Sequence, residues 1–209
     1  MDVLIPVAVV LASYLMGSLS FAVIVSRLMG LNDPRSYGSK NPGATNVLRS
    51  GSKKAAILTL LLDAFKGWLP VALVLTYGPD QGLGASTAAL AGLAAFLGHL
   101  YPVFFGFVGG KGVATAVGVL VGVNGSLALA TVLSFAIVLY FSRYVSLASM
   151  VAAVFAPVFY LFGDGVAWQA TSPEVLSLSV MALLLVWRHR ENINRLLAGT
   201  ESKLGQKKA

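Results

Sequence analysis

The stretch Gly38-Ser-Lys-Asn-Pro-Gly-Ala-Thr-Asn-Val-Leu-Arg49 has the composition of a loop that grips phosphate, set inside an otherwise oily chain. Glycines let backbone N–H groups converge into an anion-binding nest. Ser39, Asn41, Thr45 and Asn46 offer further donors, and Lys40 and Arg49 supply charge. A second loop of the same kind, Phe107-Val-Gly-Gly-Lys-Gly-Val-Ala-Thr115, carries Gly109, Gly110, Lys111 and Gly112. Two such loops imply two phosphorylated ligands, or two ends of one site. The second is not a nucleotide-binding P-loop, because Phe105 stands where that motif needs glycine and Gly112 where it needs Ser or Thr. Its anion chemistry does not depend on the label. Lys111 supplies charge, and the helix that follows adds the partial positive charge of its N-terminus. A basic interfacial turn with packing glycines is the bland alternative.

Two further polar clusters stand out. Ser146 and Ser149 open an apolar run just after Arg143; a serine there ordinarily bonds its own helix backbone, and a ligand role for Ser149 is the sharper reading. In Trp187-Arg-His-Arg-Glu-Asn-Ile-Asn-Arg195, His189 and Asn192 are three apart and share a helical face. That segment reads either as a site or as a basic helix end against lipid headgroups. Within an apolar run, Asp63 and Lys66 either pair with each other, with Lys66 snorkelling to the surface, or point into a polar cavity. His99, ahead of Tyr101 and Pro102, reads as a helix cap in preference to a catalytic group. Gly118 and Gly122 read as a close-packing face.

The elements that must hold these residues are membrane helices. With 57% hydrophobic and 11% charged residues among 209, and a mean hydropathy of +0.81, the chain belongs in a bilayer. Spans fall at Val3 to Ser26, Ala55 to Tyr77, Leu83 to Leu100, Ser126 to Phe141, Val145 to Phe162 and Glu174 to Trp187, with a shorter one at Val113 to Val123. If all seven cross, one side receives Arg27, Arg35, Lys40, Arg49, Lys53, Lys54, Lys111, Arg143, Arg188, Arg190, Arg195, Lys203, Lys207 and Lys208. The other receives Asp2, Asp80, Asp164 and Glu174 and no Lys or Arg, which is the positive-inside pattern. The expectation is therefore an all-α, seven-span membrane protein with its N-terminus periplasmic and its C-terminus cytoplasmic. Residues 1–198 form one membrane domain, residues 199–209 a flexible tail, and the first apolar run is retained, since it lacks a basic leader.

The net charge of +7 is then topology, with no basic soluble module to hold nucleic acid. The chain has no Cys, so thiolate chemistry and Cys-based metal sites are excluded, and neither metal nor cofactor is expected. No internal repeat is evident, which weighs against a transporter of phosphate or an organic phosphate. Such a transporter also needs binding residues near the bilayer midplane, where only Asp63 and Lys66 are available.

The first loop, the run Gly98-His-Leu-Tyr-Pro with Gly109-Gly-Lys-Gly-Val-Ala-Thr115, and Arg188-His-Arg-Glu-Asn-Ile-Asn-Arg-Leu-Leu resemble, in order, the bacterial acyl-phosphate:glycerol 3-phosphate acyltransferase family (the PlsY family). One departure is Lys40, where the family often has glycine after the serine. The resemblance implies a multi-pass enzyme of the bacterial inner membrane, with its site on the cytoplasmic face, that makes 1-acyl-glycerol 3-phosphate (lysophosphatidic acid) as the first acylation of phospholipid synthesis. It implies acyl phosphate and glycerol 3-phosphate as substrates, membrane lipid as surroundings, and no coenzyme A or acyl-carrier protein. Soluble-type glycerolipid acyltransferases place Asp five residues after His; here Phe104 follows His99 at that spacing and Asn194 follows His189, so a substrate phosphate is the expected base. On this resemblance Ser39, Asn41, Gly43, Thr45 and the Gly109 to Gly112 backbone hold the acyl phosphate, with Lys111 between the two phosphates. Arg49, Ser149, His189 and Asn192 bind glycerol 3-phosphate, and Glu191 pairs with a neighbouring arginine.

Overall fold

The computed structural model describes residues 3–205. The expected positions of Asp2, Lys207 and Lys208, and the end of the 199–209 tail, fall outside them. Among the described residues the regular structure is helical, without strands, and its contacts gather into two compact units, Met1–Val123 and Asn124–Ala209.

In the first unit, α1 (Leu4–Gly17) and α2 (Phe21–Leu28) form the expected first apolar run, but broken, with a bend of 44°. The break has a local cause. Ser13 and Ser18 turn their hydroxyls back onto the Val9 and Tyr14 carbonyls at 2.7 and 2.9 Å, competing with the backbone ladder. A short α3 (Ala44–Leu48) precedes α4 (Lys53–Tyr77), which Ser52 caps by accepting the Ala55 N–H. At 25 residues, α4 is about 37 Å long, enough for the roughly 30 Å of bilayer hydrocarbon. Then come α5 (Ala85–Leu100) and α6 (Val113–Val123).

Small residues let these helices touch backbone to backbone. A Cβ on Gly118 would strike the Ala64 carbonyl of α4, one on Gly67 the Thr115 carbonyl of α6, and one on Gly17 the Ala95 carbonyl of α5. Gly122 lies equally tight, 2.7 Å from Val71 to a built Cβ. Gly118 and Gly122 thus form the packing face that their spacing predicts.

The second unit holds α7 (Gly125–Ser142), α8 (Val145–Phe162), α9 (Ser172–Arg188) and α10 (Arg190–Leu197). Asn124 caps α7, and Thr171 with Glu174 forms a capping box at α9. Glu174 is buried, and Tyr160 donates to its carboxylate at 2.7 Å. The first residues of the expected flexible tail are held down: Leu204 donates its N–H to the Arg143 carbonyl, and Arg143 Nη2 donates to the Leu204 carbonyl at 2.9 Å.

Among the described residues four helices are long and apolar enough to cross a membrane, five counting α1 with α2 as one bent span. Their outer faces are apolar, as at Leu61 and Phe65 on α4, Leu133 and Ile137 on α7, and Val154 on α8. Between Asp63 and Lys66 there is an ion pair of 2.7 Å, and Lys66 is 1% exposed. Lys66 therefore does not snorkel. Its ammonium donates at 2.7 Å to the Leu19 carbonyl, which the α1–α2 break frees from helix bonding, and lies 5.5 Å over the Phe21 ring. In hydrocarbon a freed carbonyl needs such a partner.

Candidate active site

Within the first unit the two glycine-rich loops meet. The Gly38–Arg49 loop is closed by Asn46, which is 2% exposed. Its Nδ2 donates to the Pro34 and Tyr37 carbonyls at 2.6 and 3.1 Å, and its Oδ1 accepts from Ser39 N–H and Arg49 Nη1 at 3.0 and 3.2 Å. Asn46, offered by the sequence as a ligand donor, is instead the clasp of the loop. Ser39, Thr45 and Arg49 are exposed, and Asn41 and Gly43 half-buried. Lys40 sits at φ 55, in the left-handed region. The glycine common at this position in the family would adopt it freely, whereas lysine pays about 1–2 kcal/mol. Nearby, Arg35 grips Asp33 with two nitrogens, and those hydrogen bonds hold the Asp33 carboxyl below its usual range.

The second loop is seated on the end of α5. Gly110 N–H donates to the His99 carbonyl at 3.1 Å. A Cβ on Gly109 would strike that carbonyl, and one on Gly110 would strike His99 Nε2 and come within 2.8 Å of the Pro42 carbonyl of the first loop. Gly112, at φ 82, lies against the Phe96 ring. The glycines are thus fixed by close approach, and Lys111 rides half-buried between them. Arg35 also reaches over the Phe105 ring, 5.8 Å to its centroid, tying the loops a second time.

His99 is more than a helix cap. It is buried, and its Nδ1 lies 3.1 Å from Thr115 Oγ1 and 3.6 Å from Asp63 Oδ1. Its partners stand on α4 and α6, so the adjacent Tyr101 and Pro102 give no sign of them. The Asp63–Lys66 pair is closed on itself, on His99 and on the Leu19 carbonyl.

In the second unit, Ser149 is buried and donates at 2.8 Å to the Val145 carbonyl of its own helix, the bland arrangement. His189 is buried with Nδ1 2.8 Å from the Leu185 carbonyl, so Nδ1 carries the proton. Asn192 donates at 2.6 Å to Glu201 Oε1, which also accepts from Ser146 Oγ at 2.7 Å, while Arg195 Nε donates to Glu201 Oε2 at 2.7 Å. The carboxylate that pairs with Arg195 is therefore Glu201, within the expected tail. Burial pushes the Glu201 carboxyl up, but the bonds from Ser146, Asn192 and Arg195 outweigh it and hold the group below its usual range. One hint of it is legible in the chain, since Glu201 is the only acid after Ala198.

The family model for glycerol-3-phosphate acyltransferase matches residues 7–199. Curated relatives called glycerol-3-phosphate acyltransferase include one from Albidiferax ferrireducens, 67% identical over 97% of this chain and 90% of its own, and one from Bordetella petrii, 62% identical over 96% and 94%. Crystal structures of PlsY, an integral membrane glycerol 3-phosphate acyltransferase, superpose with TM-scores of 0.87 in the glycerol 3-phosphate form and 0.85 in the lysophosphatidic acid form. They are 41% and 40% identical, and each covers 96% of this chain and 96% and 95% of its own. The chain belongs to the glycerol-3-phosphate acyltransferase family, the PlsY family of integral membrane proteins, and is an acyltransferase.

Proposed function

We propose that the chain transfers an acyl group from acyl phosphate to the 1-hydroxyl of glycerol 3-phosphate, giving 1-acyl-glycerol 3-phosphate and inorganic phosphate. The observation that carries this reading is the meeting of two cation-bearing glycine loops at Pro42 and Gly110. An acyl phosphate is already activated, so the reaction needs no covalent nucleophile. It needs two phosphates neutralised and the hydroxyl placed against the carbonyl carbon. The forms in which the PlsY structures were solved support the acceptor and the product.

Ser39, Asn41, Gly43, Thr45 and the Gly109–Gly112 backbone are assigned to the acyl phosphate, and Lys111 to the place between the two phosphates. Arg49, Ser149, His189 and Asn192 are assigned to glycerol 3-phosphate. The hydroxyl oxygen bonds to the acyl carbon, the carbon–oxygen bond to phosphate breaks, and the hydroxyl proton passes to a substrate phosphate, since neither His99 nor His189 has an Asp five residues on. Purified protein given glycerol 3-phosphate should form lysophosphatidic acid with acyl phosphate and not with acyl-CoA; equal rates with both would remove the donor assignment.

The membrane arrangement proposed with it is seven spans in the bacterial inner membrane, N-terminus periplasmic, with the site on the cytoplasmic face. The segregation of Lys and Arg supports it. At 11 residues, α6 is about 16 Å long and short for a crossing, but it packs on α4 through Gly118, and a short span is met by local thinning of the bilayer. Single cysteines at Asp80 and Arg143 should label from opposite sides of the membrane. Labelling from the same side would remove the seven-span arrangement.

A further inference from the structure

We propose that His99 and Thr115 are positioning residues that set the place of Lys111, with the buried Asp63–Lys66 pair as their footing; this rests on the assignment of the Gly109–Gly112 loop to the donor phosphate. The observations form one chain of contacts. Lys66 is anchored on the Leu19 carbonyl and on Asp63, and Asp63 Oδ1 faces His99 Nδ1 at 3.6 Å. The same ring nitrogen lies 3.1 Å from Thr115 Oγ1, in the first turn of the helix that leaves the loop. The imidazole is thereby clamped from α4 and α6.

Its opposite edge meets the loop. Nε2 lies under Gly110, where even a methyl group would not fit, and the His99 carbonyl holds the Gly110 N–H. One residue thus supports the loop through ring and backbone together, immediately before Lys111. Asp63, His99 and Thr115 are each buried, Thr115 with no exposed surface, so the support is held by packing on every side. A lysine that must meet developing charge gains most when its backbone cannot drift, and an ångström of misplacement costs up to about a hundredfold in rate.

The test is a set of variants assayed with whichever donor supports turnover by the parent enzyme, so that a wrong donor assignment shows in the parent and not in the comparison. Thr115→Val removes the hydroxyl and keeps the shape, Thr115→Ser keeps the hydroxyl, and His99→Asn removes the ring edge beneath Gly110. Thr115→Val and His99→Asn should lower kcat roughly ten- to a hundredfold. KM for glycerol 3-phosphate should stay within about twofold and the amount of folded protein near the parent's, while Thr115→Ser keeps most of the rate. Added to Lys111→Ala, Thr115→Val should cost less than about twofold more, because the residue it positions is already gone. A normal kcat in Thr115→Val and His99→Asn, an equal loss in Thr115→Ser, or full additivity with Lys111→Ala would each overturn the proposal. Should His99→Asn fail to fold, the two Thr115 variants and the coupling still decide it.

Discussion

Lys111→Ala is expected to lower turnover by one to two decades with respect to both substrates, and Arg49→Ala to raise KM for glycerol 3-phosphate by a similar factor with a smaller effect on kcat. The reasoning is the same for each: removing the cation leaves a substrate phosphate partly unpaired. Hydrogen bonds to charged groups are worth about 1.5–3 kcal/mol, and about 1.4 kcal/mol is a decade in rate. The split follows from position. Lys111 rides on a loop pinned by close backbone contacts, whereas Arg49 is an exposed side chain with one nitrogen on the Asn46 clasp. Steady-state kinetics with each substrate varied in turn checks this. Lys54→Ala, at an exposed position on the first turn of α4, is the control and should change little. Near-parental kinetics in both site variants would mean that the loops serve topology and not catalysis.

Lys66→Met should cost the most stability of any single change considered. It leaves the Asp63 carboxylate buried at 2% exposure without its ammonium partner and strips the Leu19 carbonyl of its donor. Breaking a buried pair from one side costs about 3–5 kcal/mol, whereas replacing both members with well-packed apolar groups is often neutral. Asp63→Leu combined with Lys66→Met should therefore recover much of the lost stability, though not all, because the Leu19 carbonyl stays unmet. The thermal midpoint and yield of folded protein in detergent are the measurements. An unchanged midpoint in Lys66→Met would mean that the ammonium is solvated after all.

Helix positions were legible because apolar runs end where glycine, arginine or asparagine must leave the bilayer. Val113–Val123 and Val145–Phe162 have the ends read from the sequence. The break between α1 and α2 was not legible, since three residues within an apolar run do not reveal that the serines bond backward. The loops that carry Ser39 and Lys111 could be found from composition. Their supports could not, because those partners are far apart in the chain: Lys66 meets a carbonyl 47 residues away, and Glu201 a serine 55 residues away. Spacing places Asp63 and Lys66 on one face but carries no information on depth, which is why snorkelling was a fair expectation and the buried pair a correction.

The bond from Lys66 to the Leu19 carbonyl also bears on how the protein is made. Since α1 and α2 precede α4, the acceptor exists before the ribosome delivers its donor. A charged residue at the centre of a helix costs about 2.5–3.5 kcal/mol on translocon-insertion scales, and α4 carries two. The helix enters lipid at low cost only when Asp63 and Lys66 neutralise each other and the broken turn of the earlier segment lies alongside. That turn, in its turn, presents an unsatisfied carbonyl to hydrocarbon until α4 arrives. Each segment thus eases the other's membrane integration: α4 brings the donor that the Leu19 carbonyl lacks, and the broken turn brings the acceptor that Lys66 meets.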